Sequence, residues 1–404
     1  MNSDKKLIPN YRFPEFKNDG NWEIDTIDNT CDILNNLRRP ITSNNRKAGE
    51  FPYYGASGII DYVDNYIYDE KLVLVGEDGA KWGSFENTAF TIQGKTWVNN
   101  HAHVLRPIKV NHEILDNYLK MIDLSKYITG AAPPKLTLGK LKTIELPFPS
   151  NPAEQQKIAA CLSSLDDVIA GHEEKLTSLE EHKKGLMQNL FPKEGETQPK
   201  YRFPEFENDG DWTKYKIKDI AKVTTGGTPE STNPEYWNGD IPWMNSGELN
   251  NKRIHSVSNY ITLKGLKESS TKLIPPNCIL IGLAGQGKTR GTAAINYIEL
   301  CTNQSIGSIH PNEEVFISEF LYHNIDSMYD TLRFLSAGDG GRGGLNLQII
   351  KDIEILLPSL YEQQKIASAL SSVDELIVAQ REKIAALKEH KKGLMQGLFP
   401  KIES

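Results

Sequence analysis

Apolar residues recur at Ile158, Leu162, Leu165, Ile169, Leu176, Leu179, Leu186 and Leu190, and the polar His172 and Lys183 fill the two remaining places of the pattern. The spacing alternates four and three throughout. The same phase returns at Ile366, Leu370, Val373, Ile377, Ile384, Leu387, Leu394 and Leu398, with Gln380 and Lys391 at the matching polar places. A sustained four-three alternation is the seam of a coiled coil. Paired polar residues within such a seam fix its register at some cost in stability. Two such helices in one chain, each preceded by a globular stretch, predict an antiparallel intramolecular pair. From Ile158 to Leu190 the seam runs 33 residues, or about 50 Å at 1.5 Å per residue.

The helices belong to a larger repeat. Glu154–Lys193 and Glu362–Lys401 align without gaps and share 26 of 40 positions. Tyr11–Trp22 reads YRFPEFKNDGNW, and Tyr201–Trp212 reads YRFPEFENDGDW. Between these copies the likeness is weaker: LVLVGEDGAKWG from Leu72 parallels ILIGLAGQGKTRG from Ile279, and Thr129–Pro149 ends like Ser336–Pro358. The order is therefore variable region, shared helix, variable region, shared helix. Near-identical helices would face a common partner twice, while divergent regions would recognise two different things. Phe191-Pro192-Lys193 runs into Tyr201 through a short acidic linker. The chain likewise ends on Phe399-Pro400-Lys401 and begins on Tyr11, so antiparallel helices would bring its two ends together.

Composition narrows the class. The 404 residues are 38% hydrophobic and 25% charged, which describes a soluble globular chain of more than one domain. Neither a secretory leader nor a membrane span is visible, and Cys31, Cys161, Cys278 and Cys301 are far apart. A reducing cytoplasm is expected, without disulfides or a zinc cluster. The net charge of −7 weighs against nucleic-acid binding. Much of the excess acid lies between Glu194 and Asp211, however. Near-neutral regions can still turn a basic face to DNA if a partner supplies phosphate affinity.

Candidate chemistry is sparse. Gly282-Leu-Ala-Gly-Gln-Gly-Lys-Thr289 matches the phosphate-cradling P-loop pattern and follows an apolar strand at Cys278–Ile281. A true P-loop opens a helix, whereas Ala293–Tyr297 reads as a second strand. Asn233-Pro-Glu-Tyr236 is similar to the N-P-P-Y box of amino methyltransferases but lacks its second proline. His101 and His103 could share one face of a strand, with no further ligands to complete a metal site. No catalytic constellation emerges, so the chain is expected not to be an enzyme.

What recurs instead is polar, basic and glycine-rich loops. The first variable region carries Arg38, Arg39, Asn44, Asn45, Arg46, Lys47, Lys81, Trp82, Asn99, Asn100 and His101. The second carries Thr225, Gly226, Gly227, Thr228, Lys252, Arg253, Gln286, Lys288, Thr289, Arg290, Asn303, Gln304 and Arg342. Arg, Lys, Asn and Gln are the residues that make bidentate contacts to guanine and adenine edges.

The whole arrangement resembles the specificity subunits of type I restriction–modification enzymes. The resemblance rests on the Tyr-Arg-Phe-Pro-Glu-Phe openers, Thr225-Gly-Gly-Thr-Pro with Asn233-Pro-Glu-Tyr-Trp and Asp240-Ile-Pro-Trp, Pro52-Tyr-Tyr-Gly-Ala-Ser-Gly58, and the paired Glu-Gln-Gln-Lys-Ile-Ala helices. It implies an α+β fold with an internal pseudo-two-fold repeat. Two mixed α/β target-recognition domains would each read one half of a split DNA target and each be followed by a conserved helix, the two helices pairing as an antiparallel coiled coil. The expected segments are 1–150, a first recognition domain; 151–193, a first spacer helix; 194–357, linker and second recognition domain; and 358–404, a second spacer helix. A seam of about 50 Å would span about 15 base pairs at 3.4 Å each. The resemblance also implies double-stranded DNA as ligand and methyltransferase (modification) subunits docked on the helices, with translocase–endonuclease (restriction) subunits beyond them. S-adenosylmethionine, ATP and Mg would act in those partners and no cofactor in this chain. Two other readings compete: a P-loop nucleotide-binding enzyme built on Gly282–Thr289, and a coiled-coil scaffold that binds no DNA.

Overall fold

The computed structural model describes residues 7–285, 289–336 and 344–402. The chain forms two compact units, one made of Met1–Glu174 with Arg381–Ser404 and the other of Lys175–Gln380. Each long helix therefore begins in one unit and ends in the other. The reason is burial: Ile158 and Leu162 of the first helix, with Met395, Leu398 and Phe399 of the second, are part of the first unit's core.

In the first unit, strand Glu23–Thr26 pairs antiparallel with Glu145–Phe148, closing the start of the variable region on its end. Between them lie two four-stranded sheets. One runs Cys31–Ile33, Ala102–Pro107, Leu72–Gly76, Ala89–Ile92, and the other Gly58–Val63, Ala48–Gly55, Lys95–Val98, Tyr68–Asp69. The apolar run at Leu72 is explained by alternation across the strand. Val73 and Val75 enter the core shared with helix His112–Met121, while Leu72 and Leu74 enter a second core with Tyr68, Val98 and Val104.

The second unit repeats the plan. Thr213–Lys216 pairs antiparallel with Glu354–Leu357. One sheet runs Val223–Thr225, Ile306–Ile309, Ile279–Gly282, Ala293–Asn296, Arg253–Ile254, and the other Asn259–Ile261, Trp237–Met244, Leu300–Thr302, Leu273–Ile274. Ile279 and Ile281 face one core and Leu280 another. In each unit the second sheet holds one parallel pair, Ala48–Gly55 with Lys95–Val98 and Trp237–Met244 with Leu300–Thr302.

The long helices span Pro152–Leu190 and Leu360–Leu398. All seam positions are buried or half-buried, and their neighbours are mostly exposed. Within the first unit Asp166 meets Lys391 at 2.6 Å and Glu173 meets Lys388 at 2.6 Å, so the helix segments run antiparallel. Within the second unit Lys183 meets Asp374 at 2.7 Å. The seam lysines thus take aspartates of the facing helix, outside the seam, rather than polar seam residues, because a cation gains most from a carboxylate.

The repeated sequence makes repeated clamps. Arg12 bonds both oxygens of Glu154 at 2.8 and 2.7 Å, and Arg202 does the same to Glu362. Gln155 accepts from the Asn111 N–H and donates to Lys109 O; Gln363 accepts from Ile317 and donates to Val315. Tyr11 N donates to Gly397 O at 2.8 Å, as Tyr201 N does to Asn189 O at 2.9 Å.

Candidate nucleic-acid interface

In each unit a tight turn joins two strands and presents one side chain outward. In the first, Asn99 is buried and its Oδ1 accepts from the His101 N–H at 2.8 Å, leaving Asn100 exposed at the apex. In the second, Asn303 Oδ1 accepts from Ser305 N–H at 3.1 Å, leaving Gln304 exposed. Such turns suit asparagine because its side chain closes the backbone two residues on. Of these residues Asn99 and Asn303 hold the turn, and the side chains of Asn100 and Gln304 stand exposed beyond it.

The remaining candidates divide between exposed positions and internal braces. Arg39, Asn44, Asn45, Lys47, Lys81 and His101 are exposed. His101 Nδ1 lies 2.5 Å from Asp78, which also pairs with Lys135 at 3.0 Å. Lys135 was not among the sequence candidates; its signal is the Gly- and Pro-rich hairpin from Thr129. Arg38, in contrast, points inward, bonding Glu77 at 2.7 Å and the carbonyls of Asn35, Ala102 and Asn100. Arg46 is held by Asp61 and Ile41 O and lies 4.7 Å over the Tyr53 ring. The Trp82 indole donates to Gly76 O. His101 and His103 do not converge: His103 is buried, its Nε2 donates to Leu136 O at 2.7 Å, and burial lowers its proton affinity. Among the described residues no metal-ligating cluster gathers.

In the second unit Thr228 is exposed, and its hydroxyl donates to Gln304 Oε1 at 2.6 Å. Thr225 Oγ1 donates to Gln304 O at 3.1 Å. Gly226 and Gly227 serve packing: a Cβ would lie 1.8 Å from Thr302 O at the first and 2.3 Å from Ser270 Oγ at the second. Lys252 pairs with Asp326 at 2.7 Å. Arg253 is largely buried against Glu319, Asp374 and Ser371, where it braces the second long helix. Burial opposes its charge, but the Glu319 and Asp374 carboxylates outweigh that and raise its proton affinity. Arg38, Arg46, Trp82, Gly226, Gly227 and Arg253 are thus engaged in bonds or close packing within the protein.

Thr289 and Arg290 are half-buried in the loop between strands Ile279–Gly282 and Ala293–Asn296. These strands pair antiparallel, so the loop leads to a strand and lacks the helix N-terminus that a P-loop needs. Gln286, Lys288 and Arg342 lie outside the described residues. Asn233 is an ordinary cap: its Oδ1 accepts from Glu235 N–H at 3.1 Å.

A model of the type I restriction modification DNA specificity domain matches residues 19–181 and again 209–389. The chain belongs to this specificity family. A Haemophilus influenzae chain assigned as a type I restriction enzyme specificity subunit is 29% identical over 362 residues, 87% of each chain. The type I restriction enzyme MjaIX specificity subunit of Methanocaldococcus jannaschii is 35% identical over 198 residues, 48% of this chain and 45% of that one. The fold is shared with the type I restriction–modification S subunit from M. genitalium, with a TM-score of 0.64 at 15% identity, covering 98% of this chain and all of the other. Each specificity-domain match takes in one variable region and most of the helix after it. Among the described residues of this family member no helix is long and apolar enough to cross a membrane.

Proposed function

We propose that this chain is the non-catalytic DNA-reading subunit of a cytoplasmic type I restriction–modification complex. Each variable region reads one half of a bipartite target in double-stranded DNA, and the two long helices dock methyltransferase subunits and set the gap between half-sites. S-adenosylmethionine, ATP and Mg act in the modification and translocase–endonuclease partners. The observation that carries this reading is the doubled specificity domain: the helices and their clamps are nearly the same in both copies, while the exposed loop residues differ. A repeated docking surface suits a repeated partner, and divergent loops suit two different base sequences. The acidic balance of the chain fits a complex whose partners supply much of the phosphate attraction.

Methylation mapping tests the proposal. Cells expressing this chain with its methyltransferase partner should carry adenine methylation at a single two-part motif. Deleting the chain should abolish that motif. A methylation pattern indifferent to the chain would refute the reading.

A further inference from the structure

We infer that Asn100 and Gln304 are equivalent base-reading side chains, each directed at an adenine in its own half-site. The inference rests on the functional reading above and assigns it to two residues. Its ground is a coincidence of geometry between two regions of little sequence likeness. Asn99 N donates to Tyr54 O at 3.0 Å, and Asn303 N to Met244 O at 3.1 Å. Glu77 N donates to His101 O and Leu283 N to Ser305 O, each at 2.8 Å. The asparagine side chain closes each turn, as described. Even the carbonyl of the apex residue is held in both units, by Arg38 at 3.3 Å for Asn100 and by Thr225 at 3.1 Å for Gln304.

An apex whose backbone is fixed on every side is costly to build for a solvated loop and useful for reading, because little backbone is left to order on binding. Both apex side chains are carboxamides, with a donor and an acceptor in one plane. That pair matches adenine N7 and N6 in the major groove; guanine offers two acceptors there and demands two donors. Thr228 adds direction in the second unit. Its hydroxyl occupies one lone pair of Gln304 Oε1, leaving the second for an adenine amino group and the amide N–H for N7. Among the described residues, hydrogen bonds to the amide nitrogens of Asn100 and Gln304 are absent.

The test is methylation mapping with the full chain and its methyltransferase partners. Gln304→Leu should relax one adenine position in one half-site, lowering discrimination there on the order of tenfold to a hundredfold. Asn100→Leu should do the same in the other half-site only. The near-isosteric Gln304→Glu, which loses the donor, should weaken adenine at the same position and guards against a folding defect. The inference fails if both variants act on the same half-site, if methylation falls with the motif unchanged, or if nothing changes. An unaltered two-part motif in the variants refutes this assignment alone; a wild-type complex without any motif refutes the functional reading and this assignment with it.

Discussion

In the second unit Asp374 accepts from Lys183 at 2.7 Å and from Arg253 at 3.1 Å, while Arg253 also binds Glu319. His323 packs beside them, with Nε2 3.4 Å from Ser371 Oγ. The same helix position in the first unit is Asp166, which meets Lys391 but has its side chain 49% exposed, against 13% for Asp374. The two aspartates and two lysines are equivalent in sequence and both lysines are largely covered, yet Asp374 is mostly shielded while Asp166 is half open to solvent. Sequence identity in the helices therefore does not imply equal energetics. The variable region packed on the helix decides what the shared pair is worth, and the second region supplies a buried cation that the first does not.

Removing one unit's variable region altogether should have the largest effect. Met1 to Pro199 holds one variable region and one complete long helix. In a dimer of this half-chain, Lys183 of one copy would take the place of Lys391 against Asp166 of the other, and Phe191 the place of Phe399. One misfit is foreseeable. Asn189 would replace Gly397, where a Cβ falls 2.0 Å from the Tyr11 ring. Tyr201 accommodates that asparagine in the intact chain, so Tyr11 should move and the dimer form at reduced affinity. Sedimentation should show a dimer, and methylation mapping with partners should show a palindrome built from one half-site twice. A stable monomer, or modification of the original asymmetric target, would contradict the equivalence of the helices.

Next in size is Asp374→Ala. It leaves Lys183 without its carboxylate and Arg253 with Glu319 alone, and should cost the second unit about 3 kcal/mol. Asp166→Ala breaks a solvent-screened pair and should cost under about 1 kcal/mol. Hydrogen exchange followed separately over peptides of the two units measures both; equal losses would erase the proposed contrast.

Acidification gives a smaller, signed effect. Burial, together with Lys183, pushes His323 down to about 3, whereas an unfolded histidine titrates near about 6.5. Between those values the unfolded chain binds the proton and the folded one does not. The contribution is therefore complete above about pH 6.5 and declines as pH falls, by about 2 kcal/mol between pH 7 and 5. The first unit has Asn117 at the equivalent helix position. His323→Asn should remove this part of the second unit's acid sensitivity. If the variant kept the wild-type slope of stability with pH, the assignment to His323 would be wrong.

The seam, the repeat and the strands at Leu72 and Ile279 were legible because each depends on a local period, and burial follows those positions closely. The doubling of the specificity domain came through the repeat and the family resemblance. What the sequence hid is which polar residues turn inward. Arg38 and Arg253 have the composition of DNA contacts, but their partners Glu77, Glu319 and Asp374 lie 39, 66 and 121 residues away. No local pattern reports such pairings. Asn99 and Asn100 also looked alike as neighbours; only the closing hydrogen bond to His101 N–H separates the brace from the exposed apex.

The finest contrast lies in two tryptophans of the repeated opener. Trp22 meets Phe399 edge-on at 6.2 Å and 87°, and Trp212 meets Phe191 at 6.5 Å and 88°. Both indoles are buried, at 3% exposure. Their polar edges differ: Trp22 Nε1 donates to Glu154 Oε1 at 3.3 Å, whereas Trp212 Nε1 is buried without a partner among the described residues. Replacing either by phenylalanine removes a similar amount of apolar contact and leaves a similar void. Trp22→Phe additionally deletes a hydrogen bond to a buried carboxylate, while Trp212→Phe deletes a donor whose desolvation nothing offsets. A buried hydrogen bond contributes about 0.5–1.5 kcal/mol net, and an unsatisfied group costs about 1–3 kcal/mol. Trp212→Phe should therefore destabilise its unit less than Trp22→Phe does, by at least about 1.5 kcal/mol. Hydrogen exchange over the strand pairs Glu23–Thr26 with Glu145–Phe148 and Thr213–Lys216 with Glu354–Leu357 reads the two units separately. Equal protection losses would mean that the Trp22–Glu154 bond contributes nothing and that the Trp212 donor is satisfied in solution.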